Sequence, residues 1–203
     1  MKLNLPNKLT LIRAVLVPFF IIFMIYPIFG TDHITWSRIF AAAIFILASL
    51  TDFFDGKIAR MRGLVTSFGK FMDPLADKFM IFAALIAVLF SAFIFPTGNI
   101  LSHGLLSNVF FWMSIIIIFR ELTVTSLRLV VSGDANIVIP ANIWGKMKTV
   151  SQIICIIVVI LEPIVSQLGG FLSLISMLVA TFFTAFSGYK YIKEYWKYID
   201  PTK

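Results

Sequence analysis

Leu50–Phe79 reads LTDFFDGKIARMRGLVTSFGKFMDPLADKF and carries four of the ten acidic residues, Asp52, Asp55, Asp73 and Asp77. Working outward, the flanks are suited to hydrocarbon. The 203 residues are 60% hydrophobic and only 13% charged, and 22 of them are Phe. Mean hydropathy is +0.97. That composition excludes an ordinary soluble domain and points to the membrane class. Each carboxylate in such a chain must be kept from lipid, so these four constrain how the helices are arranged.

The formal net charge is +7. In a membrane chain this reflects basic residues facing the cytosol and anionic headgroups, not a nucleic-acid partner. The single cysteine, Cys155, lies in the apolar run SQIICIIVVIL and reads as a small buried hydrophobe. His33 and His103 stand apart in polar loops, which leaves no His/Cys metal site. Lys2 and Lys8 precede LIRAVLVPFFIIFMIYPIFG, a run too long for a signal core and without a small-residue cleavage site, so it is expected to be a retained first span.

Crossing a bilayer takes about 20 apolar residues. Six segments qualify: roughly 9–29, one from near 37 through Arg60, and roughly 70–94, 107–130, 145–165 and 170–195. Pro96 and Gly98 are expected to end the third. Short connections with turn chemistry join antiparallel neighbours. Lys2, Lys8, Lys57, Arg60, Arg62, Lys70, Lys146, Lys148, Lys190, Lys193, Lys197 and Lys203 fall on one side. Arg38, the histidines, Asp32 and Glu162 fall on the other. The expectation is an all-α integral membrane protein: one domain over 1–203, six transmembrane helices and both termini cytosolic.

Depth gives the carboxylates their meaning. Asp52, Asp55, Gly56, Ala59 and Arg60 share one helical face, within an arc of roughly 140°. Asp73 and Asp77, four apart, share another. Asp55 lies ~8 Å and Asp77 ~10 Å inside the cytosolic ends of their spans, and Arg120 lies ~12 Å inward from Arg128. Arg13 sits a similar short way inside the first span. Four anions at one level repel or take up protons unless something positive sits among them. Oxygen-only ligands favour Mg²⁺ or Mn²⁺ over zinc or copper. Such ions hold phosphate oxygens for in-line attack, with a carboxylate to accept the proton. Arg120, Arg128, Lys146 and Lys148 suit a second anionic group. Plainer readings exist: Asp73–Pro74 as a helix cap, and Lys57, Arg62, Arg128, Lys146 and Lys148 as interface anchors.

The spacing Asp52-x2-Asp55-Gly56-x2-Ala59-Arg60-x8-Gly69-x3-Asp73-x3-Asp77 resembles the signature of the CDP-alcohol phosphotransferase family at every fixed position. The six-span layout is similar as well. The flanks NLPNKLTLIRAVLVPFF, GKFMDPLADK, FRELTVTSLR and GKMKTVSQ are most similar to the branch that makes phosphatidylglycerol phosphate. The resemblance implies CDP-diacylglycerol as donor, sn-glycerol 3-phosphate as acceptor and two divalent cations, Mg²⁺ or Mn²⁺. Asp52 and Asp73 would bridge both ions, with Asp55 completing one site and Asp77 the other. Asp77 would also be the general base. Asn7, Thr10, Arg13, Gly56, Ala59, Arg60 and Thr66 would hold the nucleotide-lipid. Arg120, Arg128, Lys146 and Lys148 would hold the acceptor phosphate, on charge logic more than on any motif. The site would face the cytosol of a bacterial cell membrane, in a homodimer. The signature alone leaves open a sibling that makes cardiolipin, phosphatidylinositol phosphate or phosphatidylserine. A cation transporter or channel is the rival of another class.

Overall fold

The structure, a computed structural model, describes residues 4–30, 34–62, 66–91, 101–134, 143–165 and 169–198, with the backbone alone at Pro6, 54–62, Ser67, Lys70, 132–134 and Lys197. The described residues form six long helices and no strand: α1 (Leu5–Ile25), α2 (Ile34–Arg62), α3 (Ser67–Phe90), α4 (His103–Asp134), α5 (Ile143–Val165) and α6 (Phe171–Tyr195). A 3₁₀ turn, Trp196–Tyr198, follows α6.

Local chemistry sets the helix starts. Asn4 caps α1 by accepting the Asn7 N–H at 3.1 Å. Thr66 caps α3 by accepting the Gly69 N–H at 3.0 Å. Asp73 and Pro74 therefore lie inside α3, and the reading of Asp73 as a cap does not hold. At α6 the cap residue is Gly170, with φ 91° and no capping side chain of its own. The buried carboxylate of Glu162, from the end of α5, supplies the acceptors instead. It takes the N–H of Leu172 at 3.0 Å and of Ser173 at 2.7 Å, as well as the Ser173 hydroxyl.

Five helices, all but α3, are long and apolar enough to cross a membrane. The third expected span is the exception. Lys70, Asp73, Asp77 and Lys78 occupy the first half of α3, so only its remainder, Phe79–Phe90, is continuously apolar. α3 also ends sooner than the expected residue 94: Ser91 leaves helical geometry at φ −79°, ψ 102°. Pro96 and Gly98 lie outside the described residues.

α1 packs along α2 and α3, α6 packs along α4 and α5, and α2 meets α5. The core between them includes Val17, Phe45, Ala84, Phe110, Ile117, Val159 and Met177, all but inaccessible. Small residues on α2, α3 and α6 (Ala41, Ala48, Ala84, Ala87, Ala180) let the backbones approach. Phe19, Phe90, Trp112, Phe119 and Phe182 face outward, as a lipid-facing surface requires. A smaller cluster of Val124, Leu127, Val131, Tyr191 and Tyr195 ties α4 to α6.

Candidate active site

A cavity of about 690 Å³ opens where α2, α3, α4 and α5 converge. Each helix contributes a face. α3 presents Asp73, Pro74, Asp77 and Lys78, and α4 presents Arg120, Glu121, Val124, Thr125 and Arg128. Both sets follow the i, i+1, i+4, i+5 rhythm of a single helical face. Asp52 comes from α2, Lys146 and Lys148 from the start of α5, and Tyr191 from the end of α6. Residues 52 to 191 of the sequence thus meet around one space.

Helix α1 supports the acidic side without lining the cavity. Asn7, Thr10 and Arg13 recur every third residue and are buried. The Asn7 amide donates to Thr66 Oγ1 at 3.1 Å. Thr10 donates to Asp73 Oδ1 at 2.7 Å. The Arg13 guanidinium, wholly inaccessible, reaches Asp52 Oδ1 at 2.6 Å. One helix edge therefore fixes the α3 cap, one α3 aspartate and the α2 aspartate in turn. Gly69 permits the closeness: a Cβ there would sit 3.1 Å from Asn7 Oδ1 and 3.5 Å from Asp73 Oδ2. Asn7, Thr10, Arg13 and Thr66, which the family resemblance assigns to the nucleotide-lipid, are engaged with protein partners. The side chains of Asp55, Ala59 and Arg60, and any approach at Gly56, lie outside the described residues, although all four positions fall within α2.

The basic side is organised around a residue that the sequence reading passed over. Glu121 Oε1 accepts from Arg120 at 3.0 Å and also pairs with the Lys148 ammonium. Arg120 and Lys148 are both buried. Arg120 also donates to Ser187 Oγ at 2.7 Å, which ties α4 to α6. Gly188 leaves room for this, since a Cβ there would lie 2.8 Å from Arg120 Cγ. Arg128, exposed, donates to Tyr191 Oη at 2.9 Å. The Tyr191 ring faces both guanidinium carbons, at 5.7 Å from Arg120 and 5.1 Å from Arg128. Lys146 is exposed on the cavity wall. Insertion cost, the signal that singles out the aspartates, marks Glu121 equally and could have found it. Ser187, Gly188 and Tyr191 carry no charge, and nothing in the sequence marks them.

Asp77 joins the two sides. It lines the main cavity with Asp52 and Asp73, and it also lines a narrow cleft with Glu121, Lys148, Thr149 and Gln152. Acidic oxygens from α2 and α3 thus face fixed cations from α4 and α5.

A family model described as CDP-alcohol phosphatidyltransferase matches residues 3–186. The chain belongs to the CDP-alcohol phosphatidyltransferase family. Several relatives match over nearly their whole length. A Bacillus subtilis protein named CDP-diacylglycerol–glycerol-3-phosphate 3-phosphatidyltransferase is 41% identical over 201 residues, 96% of either chain. Proteins of the same name from Rickettsia felis and Wigglesworthia glossinidia brevipalpis are 34% and 35% identical, covering 96% and 86% of this chain and 97% and 93% of their own. CDP-alcohol phosphatidyltransferases generally use divalent metal ions. The donor set fits that chemistry: Asp52, Asp73 and Asp77 offer only carboxylate oxygens, which hard cations prefer. Among the described residues no group of three His, Cys, Asp or Glu side chains is close enough to hold one ion.

Proposed function

We propose that the chain transfers the phosphatidyl group of CDP-diacylglycerol to the 1-hydroxyl of sn-glycerol 3-phosphate, giving phosphatidylglycerol phosphate and CMP. The observation that carries this reading is the division of one cavity into an acidic wall and a basic wall with Asp77 between them. A donor bearing a diphosphate and an acceptor bearing its own phosphate need those two walls side by side. Arg120 and Lys148, on the cavity wall opposite the aspartates, suit an acceptor that carries its own phosphate.

Asp52, Asp55, Asp73 and Asp77 would hold two divalent cations, Mg²⁺ or Mn²⁺. When bound, these would neutralise the diphosphate and favour departure of CMP. The protein's own groups do the rest. Gly56, Ala59 and Arg60 contact the nucleotide-lipid from α2. Asn7, Thr10, Thr66 and Arg13 keep the aspartates in register. Arg120 and Lys148, with Arg128 and Lys146 nearer solvent, fix the acceptor phosphate and so aim its hydroxyl. Asp77 takes the hydroxyl proton. The freed oxygen bonds to the β-phosphorus as the bridge to the α-phosphate breaks, and CMP leaves.

The positive-inside bias puts this end of the bundle in the cytosol of a bacterial cell, where glycerol 3-phosphate and nucleotide are soluble. The family resemblance also brings a homodimer, which cross-linking in membranes would test. The deciding experiment is an acceptor screen. Purified protein with Mg²⁺ or Mn²⁺ should release CMP from CDP-diacylglycerol only when sn-glycerol 3-phosphate is present. Equal release with inositol phosphate or serine would overturn the acceptor assignment.

A further inference from the structure

At the end of α1–α3 opposite the catalytic cavity, a narrow space of about 10 Å³ is lined by Tyr26, Ser37, Arg38 and Ser91 among apolar neighbours. It admits one oxygen-sized group. Ser37, only 3% exposed, and Arg38 meet there with unused donors: Ser37 Oγ and Arg38 Nε are both buried without a hydrogen-bond partner. Two orphaned donors on one small space cost free energy unless an acceptor from outside the chain enters. Among the described residues no carboxylate pairs with Arg38. Glu162, the buried carboxylate at this end, is committed to the start of α6.

Depth says what that acceptor belongs to. From Ser67 to Ser91, α3 rises ~36 Å, enough to pass a hydrocarbon core of ~30 Å, so Ser91 stands at the headgroup level of the far leaflet. Aromatic rings mark the same level. Phe23, Phe29 and Phe40 cluster with centroids 5.4, 5.6 and 6.1 Å apart, and Trp36 is exposed beside Ser37. The charge bias of the chain disfavours cations on this side, so an arginine kept here calls for an anion. A water would fill the space but would leave the guanidinium charge unbalanced.

We propose that Arg38 and Ser37 bind the phosphate of an anionic phospholipid in the leaflet away from the catalytic cavity. One phosphate oxygen enters the space and accepts from Arg38 Nε and Ser37 Oγ. The rest of the headgroup stays outside, beside Trp36. A phosphate without a cationic headgroup of its own is the fitting partner, because the arginine then supplies the balancing charge. Bound there, the lipid ties the far ends of α1, α2 and α3 to the membrane surface. The site touches neither donor nor acceptor, so it stands independently of the transferase reading.

Trp36 provides the readout. Replacing Trp112, Trp144 and Trp196 by Phe leaves it as the sole indole. The protein is placed in vesicles of phosphatidylcholine and phosphatidylglycerol, with first one lipid and then the other brominated near the headgroup end of its chains. Quenching is short-ranged, so Trp36 reports its own end of the bundle and not lipid at the catalytic cavity. Phosphatidylglycerol should be preferred beside Trp36 about fivefold, the worth of one basic group at an anionic surface. Arg38→Gln should remove the preference, and Ser37→Ala should lower it by about half. Equal quenching by the two lipids in the single-Trp protein, which needs neither variant, would overturn the proposal. So would a preference that survives Arg38→Gln. Sodium chloride and inorganic phosphate at equal ionic strength should weaken the preference alike. Its abolition by inorganic phosphate alone would make the ligand a free anion and overturn the lipid assignment.

Discussion

Arg120 shows how a buried cation is made usable. Its guanidinium is held from one side by Glu121 and from the other by Ser187, over the gap left by Gly188. The planar fork serves two directions at once, which a lysine ammonium at the same place could not do. Arg120→Lys should therefore raise the KM for glycerol 3-phosphate about tenfold, or ~1.4 kcal/mol, while leaving the KM for CDP-diacylglycerol in place. Steady-state CMP release across an acceptor titration reads both, and an unchanged acceptor KM would reduce Arg120 to a structural tie. Charge inside an apolar helix made Arg120, Lys148 and the aspartates legible, because each costs free energy that something must offset. Glu121 carries the same signal, but its partnership was not legible, because Lys148 lies 27 positions away on another helix. The uncharged Ser187 and Tyr191 have no signature of that kind.

Individual helices divide the work of support. α1 is apolar enough to be a plain membrane span, yet its Asn7–Thr10–Arg13 edge secures the α3 cap and two aspartates. The family resemblance named these three residues as contacts to the nucleotide-lipid, and the structure shows their protein partners, because ligand contact and support both call for polar side chains at the same helical positions. α3 gives up apolar length to carry charge, and for that reason it alone falls short of a full span. At the opposite end of α5 from Lys146 and Lys148, Glu162 replaces the missing cap of α6. Its position read as an outer-surface charge, but the contacts make it a helix terminator's partner. Glu162→Ala should lower stability by about 2 kcal/mol through two unsatisfied backbone donors. Thermal unfolding in detergent should show a lower Tm, while both KM values at low temperature stay unchanged. A loss of acceptor affinity without loss of Tm would contradict the capping role.

The whole molecule brings two groups of helices together along the α2–α5 contact. One group, α1–α3, supplies the carboxylates, and the other, α4–α6, supplies the cations. Neither makes a site alone. Asp77 comes from the first group and lines both the main cavity and the cleft that holds Glu121 and Lys148 of the second. The number and order of helices were readable from hydropathy and charge, because lipid admits few alternatives. Which helices touch was not, since contact depends on shape complementarity among similar apolar faces. The central claim is that one carboxylate at this junction removes the acceptor's proton. The most direct measurement is turnover and donor binding by Asp77→Asn in parallel. Turnover should fall by about 10²–10⁴-fold while CDP-diacylglycerol binds within about threefold of the unmodified protein. Turnover within threefold of normal would contradict the account.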